Sequence, residues 1–417
     1  MKRGMILVLV ILCRVANGQS EVTGDLLDHV SSILSSIPGA SQENYTDPDN
    51  DQQATWTAIV NAILDEDITT AATQAATLNY EVVHFTDDTG AESKSYYILQ
   101  RAEAGPYWGT YIFNPNPCRA GVVIQAPHPL ADLNTGKQGI YVFEEIEASA
   151  FFVSGTHRCN SASASSCSGS TSVCSGSSQA FRLSDVAHNN NSAFQKATEA
   201  VRSKSTTAVF IQLHGFAKES GDPSMIMSNG TRIAPSLDYI TLIREALIDQ
   251  DGTLTAKVAH EDLTWDKLVA LTNTQGRMLN GSFNPCTDNA TSTQGRFIHI
   301  EQELTKLRAD QTRWALMATA LASVFPCGTI TSGEEELSAH TVSVFPNPFS
   351  DHVAIRGIDR ATRFVLYNVL GMEVAEAALY QDEIITLPAL TAGTYYYRLL
   401  CDSRLLGKGK LYSINHN

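Results

Sequence analysis

The chain has 417 residues, 43% of them hydrophobic and 18% charged, enough for one core of about 300 residues with a smaller module beside it. A formal net charge of −15, with no long basic stretch, argues against nucleic acid as a partner. No apolar run reaches the roughly 20 residues that a bilayer span requires, so no membrane-spanning helix is expected.

In chain order, residues 1–18 have the pattern of a cleavable signal peptide. Lys2 and Arg3 are followed by the apolar run Met5 to Leu12 and then by Ala16-Asn17-Gly18, small residues at the positions a signal peptidase inspects. Residues 19–79 are polar with helical stretches near 22–37 and 54–78, a helical lead-in. From Tyr80 the pattern turns to strands: Y-E-V-V-H-F, a turn at Thr89-Gly90, S-Y-Y-I-L, and then Y-W-G-T-Y-I-F as an edge-type strand.

Four apolar runs follow, each ending in polar chemistry. They are G-V-V-I-Q-A-P-H (121–128), A-F-F-V-S-G-T-H-R (150–158), A-V-F-I-Q-L-H-G (208–215) and G-R-F-I-H-I-E-Q (295–302). Helix-compatible stretches near 136–149, 190–204, 235–250 and 303–324 alternate with them. Uninterrupted apolar runs interleaved with helices predict an α/β domain over 80–328, with a mainly parallel or mixed sheet and helices on both faces. Ligands in such sheets bind beyond the carboxyl ends of the strands, where His128, His157, Arg158, His214 and Glu301 all fall. Residues 159–180, rich in Ser and Gly, form a surface loop. The six cysteines between residues 118 and 327 read as disulfides of an exported chain, with Cys167–Cys174 the expected local pair.

Residues 329–340 are a polar linker, and 341–417 a further module of short alternating strands. S-V-F-P-N-P-F (343–349), F-V-L-Y-N-V-L-G-M-E-V (364–374), L-P-A-L-T-A-G-T-Y-Y-Y-R-L (387–399) and G-K-G-K-L-Y-S-I (407–414) lie in it in that order. This module resembles the type A sorting domain of the type IX secretion system. The resemblance implies a small antiparallel β-sandwich, an encounter with the type IX machinery, and delivery through the periplasm and across the outer membrane, secreted or to the cell surface.

The set His128, Asp132, His214 and Glu301, with two histidines just past buried strands and two acids, is what a catalytic zinc site requires. In this order it resembles the zinc hydrolases of the phosphorylase/hydrolase-like fold: zinc carboxypeptidases, N-formylglutamate and poly-γ-glutamate hydrolases, and N-acetylmuramoyl-L-alanine amidases. The resemblance implies Zn²⁺ held by His128, Asp132 and His214, Glu301 as general base, and Arg158 binding a substrate carboxylate. A peptide or amide with a free carboxylate would be the substrate. Two choices stay open: Glu144 or Glu145 in place of Asp132, and Glu303 in place of Glu301. Asp185 and His188, in S-D-V-A-H, are placed either at a helix start or at the rim of the site. His157 and His299 are read as structural.

Other chemistries lack their patterns. There is no G-x-S-x-G elbow, H-E-D-L-T at His260 lacks a second histidine, and no glycine-rich phosphate loop follows a strand. The rival function is an exported binding or adhesion protein, or the same fold with a degenerate metal site.

Overall fold

The computed structural model describes residues 13–14, 20–103, 105–327, 343–358, 362–368, 372–401 and 404–414. Most of the expected signal peptide and the whole of the expected linker lie outside the described residues. The chain divides into two compact units, Met1–Ser332 and Gly333–Asn417. No helix among the described residues is long and apolar enough to cross a membrane.

The first unit opens with β1 (Cys13–Arg14), β2 (Ser20–Gly24), α1 (Leu26–Ser35), α2 (Asn50–Leu64) and α3 (Ile68–Thr77). The hairpin β3 (Tyr80–Asp87) and β4 (Lys94–Arg101), β5 (Thr110–Phe113), β6 (Arg119–Ala126), α4 (Thr135–Glu145) and β7 (Ala148–Val153) come next. A two-residue pair, β8 (Ser170–Thr171) and β9 (Gln179–Ala180), precedes α5 (Ala193–Lys204) and β10 (Val209–Phe216). The unit closes with β11 (Met225–Ser228), α6 (Tyr239–Gln250), β12 (Ala256–Val258), α7 (Thr274–Leu279), β13 (Phe297–Glu303) and α8 (Gln311–Val324).

Eleven of these strands form one sheet in the order β1-β2-β3-β4-β5-β7-β6-β10-β13-β11-β12. Its centre, β7-β6-β10-β13, is parallel. Strands flanking that centre, β5 and β11, run antiparallel to it. The sheet is therefore mixed, and the apolar runs explain its two cores. Val122, Ile124, Val209, Ile211, Ile298 and Ile300 pack with α1, α4, α6 and α8 on one face. The residues alternating with them, Val123, Phe210 and Phe297, pack with α2, α3, α5 and α7 on the other. A strand buried on both faces has no polar alternation to show, hence its continuous apolar sequence.

Three expectations change. Residues 20–79, expected as a helical lead-in, are part of the domain: they contribute β2 to the sheet and three helices to its two faces, burying Leu26, Trp56 and Ala71. Strand β5 is not an edge; it lies between β4 and β7 with all four residues buried, because β7 returns antiparallel to it. The cysteines pair as Cys118–Cys327, Cys159–Cys174 and Cys167–Cys286, not as Cys167–Cys174. Cys167 is buried beside the 286 loop, where the Ser168 amide donates to the Cys286 carbonyl at 2.8 Å, so its partner is distant in sequence.

The second unit is a small antiparallel β-sandwich. One sheet holds β14 (Ser343–Phe345), β15 (His352–Arg356) and β18 (Glu383–Thr386). The other holds β16 (Thr362–Tyr367), β17 (Glu373–Leu379), β19 (Gly393–Cys401) and β20 (Arg404–Ser413). Val353 and Ile355 from the first meet Phe364, Leu366, Leu399 and Leu411 from the second, the alternation expected of two facing sheets.

Candidate active site

Strand register assembles the site. Phe210 pairs with Phe297, Gln212 with His299, and His214 with Glu301 across β10 and β13, while Val123 and Gln125 of β6 pair with Phe210 and Gln212. Because side chains alternate, these residues share one face and form layers along it. The innermost layer is apolar, the next is Gln125, Gln212 and His299, and the last, at the carboxyl ends, is His214 with Glu301. His128 stands two residues beyond β6. A single turn, with the Asp132 amide donating to the His128 carbonyl at 2.9 Å, carries Asp132 back over it.

Arg308 ties these ends together. Its guanidinium donates to the carbonyls of Gln302 (3.0 Å) and Phe216 (3.1 Å) and to that of Leu133. A side chain on Gly215 would collide with that guanidinium, so glycine is the residue that permits the clamp.

Asp132 Oδ2 lies 3.4 Å from His128 Nδ1 and 3.2 Å from His214 Nδ1. All three residues are buried. Each imidazole turns its other nitrogen to an acceptor: His128 Nε2 to Asp185 Oδ1 at 2.8 Å, and His214 Nε2 to Gln212 Oε1 at 3.2 Å. With hydrogens on Nε2, both Nδ1 lone pairs turn toward the carboxylate, and that of His128 also faces Arg158 NH1 at 3.3 Å. These three atoms, clustered on buried side chains within 4.8 Å of one another, could hold a cation. Zinc bonds of about 2.0–2.1 Å in tetrahedral array set ligands roughly 3.3 Å apart, so the donor set and its two spacings to Asp132 fit Zn²⁺. Burial alone would raise the Asp132 pKa, but His128 and His214 outweigh it and hold the carboxyl well below the usual range. Burial pushes His214 down to about 4. For His128, burial and Arg158 push downward, yet Asp185 and Asp132 prevail and raise it.

Glu301 stands beside this cluster. Its Oε2 is buried without a hydrogen-bond partner, as is His299 Nδ1. Burial first, then the Asp132 charge, push Glu301 up to about 8. His214, His299 and Glu301 each offer a ligand atom within 4.8 Å of the others. His299 therefore borders the site, its ring 4.3 Å from that of His214. Its i+2 spacing from Glu301 on a buried strand was the available sign. Glu303 is occupied elsewhere: its carboxylate accepts the Thr305 and Lys306 amides at 2.7 and 2.9 Å.

Glu145 is exposed, and Glu144 belongs to another cluster. Burial, then the charges of Asp87 and Asp25, push Glu144 up to about 8. Between its ordinary 4.5 and about 8 the folded chain holds a proton that the unfolded chain has lost. Stability therefore falls as pH rises through that window. Glu144→Gln is expected to flatten this fall and to stabilise the protein at pH 8.5 by about 1 kcal/mol, allowing for partial exposure. Denaturant midpoints of both proteins at pH 5 and 8.5 check this. Equal pH dependence in the two would remove Glu144 as the cause.

Arg158 does not present an open fork for a carboxylate. Its Nε and NH2 donate to Asp185 Oδ2 at 3.0 and 2.5 Å, and NH1 reaches His128 Nδ1 at 3.3 Å. Asp185 lies at the centre instead of the rim. It also takes His188 Nδ1 at 3.0 Å, and the His188 ring stacks on Phe181 at 3.7 Å. Val186–His188 is a short 3-10 turn that the Asp185 side chain does not cap. His157 accepts the Cys159 amide at 3.0 Å on Nδ1, a loop-bracing contact.

Residues 343–408 match the family described as the secretion system C-terminal sorting domain. Comparison with curated proteins finds no match. Among solved structures, 20% of this chain aligns with 13% of PorZ, an essential bacterial surface component of the type-IX secretion system of Porphyromonas gingivalis, at 15% identity and a TM-score of 0.17. The chain thus spans a small part of that protein's length. An N-formylglutamate amidohydrolase from Ralstonia eutropha JMP134 aligns over 52% of this chain and 96% of its own at 9% identity and a TM-score of 0.32. A carboxypeptidase A-like protein from Shewanella denitrificans OS-217 aligns over 63% of this chain and 66% of its own at 11% identity and a TM-score of 0.27. Likeness at these scores carries no functional conclusion. The C-terminal β-sandwich is a secretion-system sorting domain, and the chain that bears it is exported by the type IX system to the cell surface or the medium.

Proposed function

We propose that this exported chain is a zinc-dependent hydrolase of peptide or amide bonds. One observation carries it: two imidazole Nδ1 atoms and a carboxylate oxygen converge at 3.2–3.4 Å beside a buried glutamate oxygen that has no partner. His128, Asp132 and His214 hold the ion. Zinc supplies Lewis acidity there, polarising a carbonyl and making water acidic near neutral pH. Asp185 orients His128 and keeps its proton on Nε2. Glu301 Oε2 accepts a proton from the attacking water and delivers it to the leaving nitrogen. Of the two causes that raise the Glu301 pKa, burial and then the Asp132 charge, only the second would be offset by a cation held at Asp132. Arg158 NH1 brings positive charge to the same side of His128. Because its other two nitrogens serve Asp185, Arg158 offers no bidentate fork to a substrate carboxylate.

A binding or adhesion module has no need for this convergence. The test is zinc content by mass spectrometry on the full chain and on His214→Ala. Near one zinc per chain, lost in the variant, is expected. Folded protein that takes up no metal when offered zinc would sink the hydrolase mechanism.

A further inference from the structure

An open pocket of about 330 Å³ lies where the loop before α2, the turn after α3 and the β4–β5 loop meet. That is within the roughly 300–1,000 Å³ typical of small-molecule sites. We propose that it binds a neutral saccharide. The proposal does not rest on the metal site.

The rim of the pocket is uncharged and rich in hydrogen-bonding groups. Asn44 and Thr46 come from the loop, Gln52 from the first turn of α2, and Thr77 and Asn79 from the turn between α3 and β3. Pro106 and Tyr107 add ring surface. Among the described residues no charged side chain lines the pocket, so nothing in it would pair with an ion. The Asn44 and Asn79 side-chain amides make no hydrogen bond among the described residues. Gln52 Oε1 accepts the Asp49 amide at 2.9 Å, a group that can only donate. Gln52 Nε2 therefore keeps its two hydrogens for an occupant.

These groups stand on a fixed frame. The Tyr80 hydroxyl accepts the Trp108 amide at 3.0 Å and lies 3.1 Å from the Pro106 and Gly109 carbonyls. Trp108 Nε1 donates to the Thr46 carbonyl at 2.8 Å, and Asn160 Oδ1 takes the Asn44 and Tyr45 amides at 2.9 Å. Asn79 is held at φ 55°. Gly105 comes so close to it that a Cβ would sit 2.1 Å from the Asn79 carbonyl oxygen. A site held this way has little freedom left to lose on binding.

A sugar ring carries neighbouring hydroxyls, each both donor and acceptor, around a hydrocarbon face. Side-chain amides match the hydroxyls and ring surfaces match the face. An extended peptide is instead captured along an open strand edge, and β5 here is flanked by β4 and β7. Trp108 packs in the same core as Val123 and Phe210, and Thr110, which opens β5, pairs with Val153 at the carboxyl end of β7. A saccharide in the pocket thus lies on the face and the end of the sheet that carry His214.

The experiment is saturation-transfer NMR on the full chain. The probes are maltotriose, cellotriose and tri-N-acetylchitotriose, with acetyl-trialanine amide as the peptide counterpart. Asn44→Ala and Asn79→Gly, singly and combined, remove the amides, and glycine keeps the left-handed backbone at position 79. Denaturant midpoints establish that the variants are folded, and Asn44→Ala carries the test alone if Asn79→Gly does not fold. Wild type is expected to bind at least one trisaccharide and not the peptide. Each single variant should weaken binding about 2- to 10-fold and the pair about 5- to 100-fold, the loss of one hydrogen bond or two.

No transfer to any trisaccharide, equal binding by wild type and the folded variants, or preference for the peptide would overturn the proposal. His214→Ala should bind the trisaccharide as wild type does. Saccharide binding by protein that takes up no zinc would sink the metal reading and leave this one, and zinc uptake without saccharide binding would do the reverse.

Discussion

Glu301→Gln is expected to bind zinc as wild type does and to hydrolyse amide substrates about 10²- to 10⁴-fold more slowly, the usual contribution of a general base. Glutamine preserves the volume of a residue only 6% exposed on β13, so the fold should persist. It cannot take the proton that the unpartnered Oε2 is placed to receive. Zinc content and single-turnover rates on a panel of peptides and N-acyl amino acids check both halves. Undiminished turnover would remove Glu301 as the base. Loss of zinc in this variant would instead make Glu301 a ligand, in the group it forms with His214 and His299.

Asp185→Ala is expected to destabilise the protein by about 3–5 kcal/mol, the cost of leaving a buried charge without its partner. One carboxylate, 1% exposed, accepts from His128, His188 and both Nε and NH2 of Arg158. Its removal strands a guanidinium whose side chain is 12% exposed and frees His128 to rotate. Zinc affinity should fall about 10- to 100-fold, as when an orienting partner is lost. Burial alone would raise the Asp185 pKa, but Arg158, His188 and His128 hold it well below the ordinary 3.8. The stabilisation is therefore fully present above about pH 4 and lost only far into acid. Urea denaturation of zinc-free protein at pH 7 measures it. A loss below about 1 kcal/mol would show that Arg158 and His128 find other partners.

Some of this was legible in the sequence. Continuous apolar runs ending in His128, His214 and Glu301 reported strands buried on both faces. Period-two alternation then placed Phe210, Gln212 and His214 on one side of the sheet. The three-residue gap between His128 and Asp132 is a single turn, so their proximity was local too. The tail motifs identified the sorting domain because a module read by a secretion machine keeps its motifs in order.

What the sequence withheld are contacts between distant segments. Asp185 meets His128 across 57 residues, Asn273 meets Gln212 across 61, and Cys167 meets Cys286 across 119. None of these pairs shares a helix turn or a strand, so no periodicity marks them. Nothing in the lead-in sequence told helices that flank a domain from helices that cover its sheet, because an apolar stripe looks the same whichever face it buries against. The sequence by itself determined where strands end and which residues of each strand share a face, since backbone geometry makes those local. The tertiary structure alone decided which of those residues face one another and which groups each imidazole nitrogen meets. Those depend on the register of neighbouring strands and on hydrogen-bond partners that folding brings together.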